Sequence, residues 1–229
     1  MEAVYVQPRD KEEQLRQLGL TEQVLLDAVR KGIFAFLNCT QNHPRSFAGM
    51  AAWGETVCGI REGLLPLGVW ERFDDRNLPL TVNVETRIAI TASSGDENTG
   101  IAELSPKSRN PKGIVTREIV QANYEQLNLF PVIQIESPTL KVSDLTTWLL
   151  LSYRDLNTRV VRCELSRPVS VGQDLRVDDW DERIILSSIP IDGDEIYLTG
   201  PDNSGGDVSG SAEDGSRADA ITVEVKRRA

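Results

Sequence analysis

The sequence has few of the residues that build metal centres, disulfide frameworks and histidine-based catalytic sites. Among 229 residues it contains one histidine and three cysteines. Cys39, Cys58 and Cys163 are odd in number and widely spaced, which favours separate thiols in a reducing compartment. With His43 as the single histidine, a His-rich metal centre is excluded and a Ser-His-Asp triad would have to use that residue. We interpret His43 as the end of a helix before Pro44, rather than as part of a Cys–His catalytic pair.

Long hydrophobic runs are missing too. No stretch approaches the ~18 consecutive apolar residues that a membrane span requires. Residues 1–14 have neither the basic start nor the apolar core of a signal peptide. The hydrophobic fraction of 40% and the charged fraction of 26% are ordinary for a folded protein. We therefore expect a soluble, cytoplasmic protein with no membrane partner.

Basic residues are scarce in one part of the chain. Residues 170–220 hold 13 Asp and Glu against 3 Arg, which accounts for the whole net charge of −10. The rest of the chain is neutral, so the low isoelectric point reports one acidic segment. That segment would repel a nucleic acid, and a nucleic-acid partner is therefore not favoured.

Apolar residues at three- and four-residue steps predict helices in the first part of the chain, within 10–38 and from 47 to 64. Thr21 is the expected N-cap within the first range, and Ser46 the expected cap of the helix that follows. Gly32 is expected to interrupt the helix in which it lies.

Alternating apolar residues predict strands in the second part of the chain. Residues 80–92 alternate most clearly, which predicts a half-buried strand, or a tight hairpin near Glu85, with one face in the core. Residues 147–165 predict a second hairpin. With helices early and strands late, we expect an α+β fold in which N-terminal helices pack on a mostly antiparallel sheet. The remaining expectations are a helix at 116–127, strands at 132–135, 184–191 and 196–198, and a polar loop at 71–77.

Composition divides the chain into three parts. Residues 1–199 are expected to form a single globular α+β domain. Residues 200–220 are acidic and rich in Gly, Ser and Asp, and Val208 is their one large apolar residue. Such a segment buries too little apolar surface to offset the entropy of ordering, so we expect it to be disordered. Residues 221–229 predict a short terminal strand with a basic end.

The loop at 93–113 is the most site-like feature. Glycine amides beside several cations favour a phosphate ligand, and Asp96 and Glu97 are candidates for binding Mg²⁺. The spacing fits neither a Walker A motif nor a dinucleotide fingerprint, and a solvated loop of turn-forming residues is the alternative. The candidate ligand-binding residues are Ser94, Gly95, Asp96, Glu97, Thr99, Gly100, Lys107, Arg109 and Lys112.

A second candidate site lies near the end of the chain. Pro201-Asp202 followed by Glu224 and Lys226 fits the loose PD…(D/E)xK pattern of a large nuclease superfamily. That chemistry needs two carboxylates on a metal and a lysine beside the phosphate. An ordinary edge strand shows the same alternation, and Asp202 falls in the segment expected to be disordered.

Two further groups are interpreted as structural. The acidic residues within 178–182 are interpreted as a salt-bridged turn that uses Arg176 and Arg183 and leads into a strand at Ile184. The four tryptophans are expected in the core or at its edge; they are Trp53, Trp70, Trp148 and Trp180.

No complete catalytic set can be assembled from these residues. We therefore expect a non-catalytic interaction or accessory protein of a prokaryotic, phage or mobile-element system, with another protein as its partner. One alternative is an enzyme or sensor that binds a phosphate-bearing small molecule or nucleotide at the 93–113 loop. A further alternative is a metal-dependent nuclease.

Overall fold

A computed structural model describes residues 4–5, 8–128 and 141–191. In that part of the chain, helices and an eight-stranded sheet form the expected α+β architecture. Several predicted features lie outside the described residues: the strands at 132–135 and 196–198, the acidic segment 200–220, the terminal strand 221–229, and with them Asp202, Glu224 and Lys226.

The described residues contain four α-helices, with bounds close to those predicted. They are α1 Pro8–Gln17, α2 Glu22–Leu37, α3 Phe47–Leu64 and α4 Ile114–Asn128. Thr21 caps α2 as predicted, because its Oγ1 accepts a hydrogen bond from the Val24 amide at 3.4 Å. Ser46 stands at the N-cap position of α3, but its side chain makes no capping hydrogen bond, so that expectation is wrong.

The expected break at Gly32 is also wrong. Helix α2 continues through Gly32, because α2 packs so closely against α3 here that a side chain would not fit. A Cβ at this position would lie 2.6 Å from the carbonyl oxygen of Ala52. That oxygen already accepts a hydrogen bond from Thr56 Oγ1 at 2.8 Å. The missing side chain therefore permits the close approach of the two helices.

The strands form one sheet in the order β1-β7-β6-β5-β4-β3-β2, and β8 pairs with β6. Neighbouring strands are antiparallel except for two parallel pairs, β1 with β7 and β4 with β5. The strand bounds are β1 Val4–Tyr5, β2 Trp70–Asp75, β3 Leu78–Asn83, β4 Ile88–Ser94, β5 Thr146–Asp155, β6 Val160–Val171, β7 Val177–Ile185 and β8 Ile189–Pro190.

The predicted polar loop at 71–77 is wrong. Residues 70–75 form strand β2, which pairs with β3 along its whole length. Arg76 and Asn77, with φ of 45° and 69°, make the turn between the two strands, as expected of a tight hairpin turn. Strand β2 lies at the edge of the sheet, where charged residues are common because they discourage pairing with other chains.

The alternation at 80–92 belongs to a hairpin, which was one of the two predicted arrangements. Strands β3 and β4 turn around Asn83, whose Oδ1 accepts hydrogen bonds from the amides of Glu85 and Thr86. The expectation that only one face is buried is wrong. Thr81 and Thr91, on the positions expected to face solvent, are also buried.

The acidic residues at 178–182 lie in strand β7 and not in a turn. The interpretation as a turn is wrong, because the buried residues Val177 and Trp180 fix the strand and the acidic residues beside them are only partly buried. The two arginines assigned to that turn pair elsewhere. Arg183 bonds Glu164, and Arg176 lies near Asp174.

Helices cover both faces of the sheet. On one face, residues of α1, α2 and α3 pack against Trp148 and Leu150 of β5. On the other face, Val120 of α4 packs against Leu149 and Leu151. Because β5 is buried on both faces, its residues 147–151 are all buried. None of the helices in the described ranges has the length and hydrophobicity that crossing a membrane requires.

Strands β4 and β5 and helix α4 form a β-α-β unit. The chain leaves the carboxyl end of β4, passes through the 93–113 loop and α4, and returns in β5 parallel to β4. Parallel neighbours need such a crossover. In sheets with parallel strands, ligands bind outside the carboxyl ends of the strands, so we expect a functional site at this edge.

Candidate functional site

A cleft of about 620 Å³ opens at the carboxyl ends of β4 and β5, between the start of α3 and the 93–113 loop. Four cationic side chains line it: Arg45, Arg109, Lys112 and Arg154. Among the described residues that line the cleft there is no aspartate or glutamate. We call this feature the cationic cleft. Its charge is of one sign, which favours an anion.

The sheet places three of the lining residues. Ser93 and Ser94 end strand β4, and Ser94 is paired with Ser152 of β5. Arg154 follows two residues later on β5, so the parallel register brings it to the same edge. These side chains therefore stand on regular strands, which hold a site more rigidly than loops do.

Lys112 lines the cleft and is partly buried. Its Nζ donates a hydrogen bond to Ser93 Oγ at 2.5 Å, and its backbone amide donates to the Leu175 carbonyl at 2.7 Å. Burial lowers the pKa of Lys112 to about 8. In the described ranges no carboxylate forms an ion pair with Lys112, and the hydrogen bond to Ser93 offsets only part of the cost of burying its charge.

Arg154 is held by an aromatic side chain. Its guanidinium lies 3.9 Å above the centre of the Phe36 ring, a cation–π contact. Burial, and then the positive charge of Arg109, lower the pKa of Arg154 to about 10. A partly buried arginine with a second cation nearby favours an anion, because the anion would stabilise the charged form of Arg154.

The amino terminus of α3 forms the opposite wall. Ser46 and Gly49 line the cleft there, and the first turn of α3 contains no acidic residue. A Cβ at Gly49 would meet no atom within 4 Å, so open space lies in front of the helix. The positive end of the helix dipole adds to the attraction for anions.

Only some of the residues predicted to bind a ligand lie at the cleft. Ser94, Arg109 and Lys112 line it. The two glycines do not, because their amides are already used within the chain. Gly95 donates to the Ser152 carbonyl at 3.0 Å, and Gly100 donates to Glu164 Oε2 at 2.8 Å.

The other predicted loop residues also lie away from the cleft. Thr99 is buried, its carbonyl accepts a hydrogen bond from Arg162 Nε at 3.0 Å, and Lys107 Nζ lies 3.9 Å from Asp178. Asp96 Oδ1 accepts the Asn98 amide at 3.1 Å, and burial raises the pKa of Asp96. These contacts hold the shape of the loop.

The magnesium site expected at Asp96 and Glu97 gains no support from the geometry. Glu97 is exposed, and its carbonyl oxygen accepts a hydrogen bond from Arg162 Nη2 at 2.6 Å. Within the described residues, no group of three or more His, Cys, Asp or Glu side chains is arranged to hold a metal ion. Binding of Mg²⁺ there stays a prediction.

A buried ion pair fastens the loop to the sheet. Arg183 Nη2 donates to Glu164 Oε2 at 2.7 Å, and the side chains are 5% and 0% exposed. Arg183 Nη1 also donates to the Leu104 carbonyl at 2.7 Å, and Trp180 Nε1 donates to the Pro106 carbonyl at 2.8 Å. These bonds hold the loop to the sheet at Leu104 and Pro106, shortly before Arg109.

His43 lies in the turn between α2 and α3. Its Nδ1 accepts a hydrogen bond from the Thr40 amide at 3.0 Å, and its ring stacks on Phe47 at 4.9 Å. The thiol of Cys39 donates to the Ala35 carbonyl at 3.3 Å. No contact in the described chain joins Cys39 to His43, and the geometry gives no support to a catalytic pair.

Sequence reasoning missed Arg45, Ser93, Trp53 and Arg154 as lining residues. Arg154 is a lone cation after a continuous apolar strand, and its position depends on the parallel pairing of β4 with β5. The signal that points to it is the strand–helix–strand order over 80–153, which predicts a crossover and places the ends of both strands at one edge.

No protein-family model, curated protein or solved structure matches this chain. The fold and the site define an α+β protein with a cationic cleft at the carboxyl edge of a β-α-β unit.

Proposed function

We propose that this protein binds a phosphate-bearing small molecule in the cationic cleft, as a sensor or as an enzyme. The observation that carries the proposal is the partly buried charge of Lys112 and Arg154 in the cleft, where no carboxylate of the described ranges forms an ion pair with either residue. Burial lowers the pKa of Lys112 to about 8, and burial together with the charge of Arg109 lowers the pKa of Arg154 to about 10. Burying such charges costs stability. Strongly shifted groups in a cleft are candidates for a functional site.

The chemistry of the cleft suits phosphate. Arginine presents a planar fork of donors that matches phosphate oxygens, and lysine adds a compact charge. Ser93 and Ser94 add hydroxyl groups, and the α3 amino terminus adds the positive end of its dipole. A volume of about 620 Å³ falls in the range of small-molecule pockets.

Native mass spectrometry of the protein purified gently from its own host would test the proposal. We expect a small anionic adduct on the wild type that is lost from the Lys112→Met and Arg154→Met variants. Arg117→Met is the matched control, since Arg117 is an exposed cation on α4 that does not line the cleft. An adduct that survives both cleft substitutions would place the ligand elsewhere.

The first expectation, a non-catalytic accessory protein with a protein partner, stays a prediction. Its best support is the exposed apolar surface of α2, where Phe34 is 71% exposed beside Ile33 and Leu37. Nothing in the described ranges shows what covers that surface. The nuclease alternative also stays a prediction, and its residues lie outside the described part of the chain. A ligand sensor that binds a protein partner would account for both the cleft and the expected protein interaction.

A further inference from the structure

One tryptophan differs from the other three. Trp53 is 41% exposed, whereas Trp70, Trp148 and Trp180 are at most 3% exposed. Trp53 lies on α3 and lines the cationic cleft. Exposing so large an apolar ring to water is unfavourable, and the core does not use that surface.

The ring of Trp53 is anchored although it is exposed. Its Nε1 donates a hydrogen bond to the Ala92 carbonyl at 3.2 Å, at the carboxyl end of β4. This bond ties the indole to the same sheet edge that carries Ser93, Ser94 and Arg154. The cleft therefore has an aromatic surface held in place next to its cations.

The neighbouring residues on α3 extend that apolar wall. Met50 lies one turn before Trp53, lines the cleft and is 63% exposed. Gly49 adds no side chain, and open space lies in front of it. Met50 and Trp53 thus make part of the α3 wall apolar and aromatic, while the facing loop and strand ends supply Arg109, Lys112 and Arg154. An inorganic anion would leave the surface of Met50 and Trp53 unused.

We propose that the ligand is a nucleotide, with its base stacked on Trp53 and its phosphate at Lys112 and Arg154. This inference rests on the proposed function, because it assigns the phosphate to the same cleft. Every nucleobase has a flat π face, and aromatic side chains bind such faces by stacking. Met50 supplies an adaptable apolar contact beside the base.

Two probes isolate the contribution of the base. AMP and ribose 5-phosphate share the sugar and the phosphate and differ in the adenine ring. For the wild type we expect AMP to bind about 10-fold more tightly than ribose 5-phosphate, which corresponds to about 1.4 kcal/mol. Fluorescence gives a second readout, because the buried tryptophans are shielded and a stacked base would quench mainly Trp53.

The variants separate this inference from the proposed function. In Trp53→Leu the preference for AMP should fall to below about 3-fold, while ribose 5-phosphate and inorganic pyrophosphate bind as to the wild type. Trp53→Phe, which keeps an aromatic face, should retain most of the preference. Equal binding of AMP and ribose 5-phosphate by the wild type would overturn the nucleotide inference and leave phosphate binding intact. Absence of binding by all three probes would overturn both proposals.

Discussion

Lys112 Nζ lies 2.5 Å from Ser93 Oγ, and this hydrogen bond joins the 93–113 loop to the carboxyl end of β4. Lys112 is thereby held at the wall of the cleft, where burial lowers its pKa to about 8. In the described ranges no carboxylate pairs with Lys112, and burial is the cause of the shift. A lysine kept in this state destabilises the free protein, and an anionic ligand would reverse that effect.

The stability of the free protein should therefore depend on pH through Lys112. The folded pKa of about 8 is below the ordinary value of 10.5, so between these values the unfolded chain binds more protons and stability rises with pH. We expect Lys112→Met to be more stable than the wild type at pH 7, by roughly 2–3 kcal/mol. The difference should shrink as the pH rises from 8 towards 10.5.

Urea unfolding at pH 7 and pH 9.5 measures this difference. Lys107→Met is the matched control, because Lys107 is a half-exposed lysine of the same loop. It should change the free energy of unfolding by less than about 0.5 kcal/mol at either pH. Equal stability of the wild type and Lys112→Met at both pH values would contradict the buried-charge account.

Ligand affinity should fall as Lys112 loses its proton. A phosphate monoester has lost its second proton well below pH 7.5, so AMP keeps its charge while the lysine titrates. We expect the Kd of AMP to rise about tenfold between pH 7 and pH 9, since binding above the free pKa of about 8 requires proton uptake. In Lys112→Arg the rise should disappear. A Kd independent of pH in the wild type would remove Lys112 from the site.

The buried pair of Glu164 and Arg183 should carry much of the stability of the loop. Glu164→Ala leaves the Arg183 charge buried and unpaired, which we expect to lower the free energy of unfolding by roughly 3–5 kcal/mol. Glu103→Ala, at an exposed position of the same loop, should change it by less than about 0.5 kcal/mol. The double variant Glu164→Leu with Arg183→Met should recover part of the loss, because no charge stays buried but the Gly100 amide and the Leu104 carbonyl lose their partners. Chemical unfolding followed by circular dichroism checks all three.

The contact of α2 with α3 should be sensitive to one methyl group. Gly32→Ala places a Cβ 2.6 Å from the Ala52 carbonyl oxygen, so the helices must separate. We expect a loss of about 1–3 kcal/mol of stability. Gly54→Ala on α3 meets no atom within 4 Å and should instead stabilise by up to about 1 kcal/mol. Thermal unfolding of the two variants measures these effects. A shift of the unfolding midpoint in the same direction for both variants would contradict the packing account.

Local patterns in the sequence predicted most of the elements. The helical spacing gave α2 and α3, and the hairpin of β5 with β6 was expected near its observed bounds. Strand β2 was missed because an edge strand needs little apolar surface. Its charged residues give it a composition that is typical of a loop. Strand β7 was missed for a related reason, since its buried residues Val177 and Trp180 stand among acidic residues that are only partly buried.

The candidate site was predictable only in part. Arg109 and Lys112 stand in a loop whose composition indicates a phosphate ligand. Arg154 and Trp53 reach the same cleft through contacts between distant parts of the chain. Periodicity indicates which face of an element is buried, but it does not indicate which elements meet. The sequence therefore places Trp53 in the core or at its edge, whereas the structure leaves it 41% exposed in the cleft.

Isothermal titration with inorganic pyrophosphate at pH 7 and low salt tests the central claim most directly. The account predicts that the wild type binds, and that Lys112→Met with Arg154→Met weakens binding by at least tenfold while Arg117→Met has no effect. If the wild type gives no binding heat, or the double variant binds as well as the wild type, the cleft is not a phosphate site.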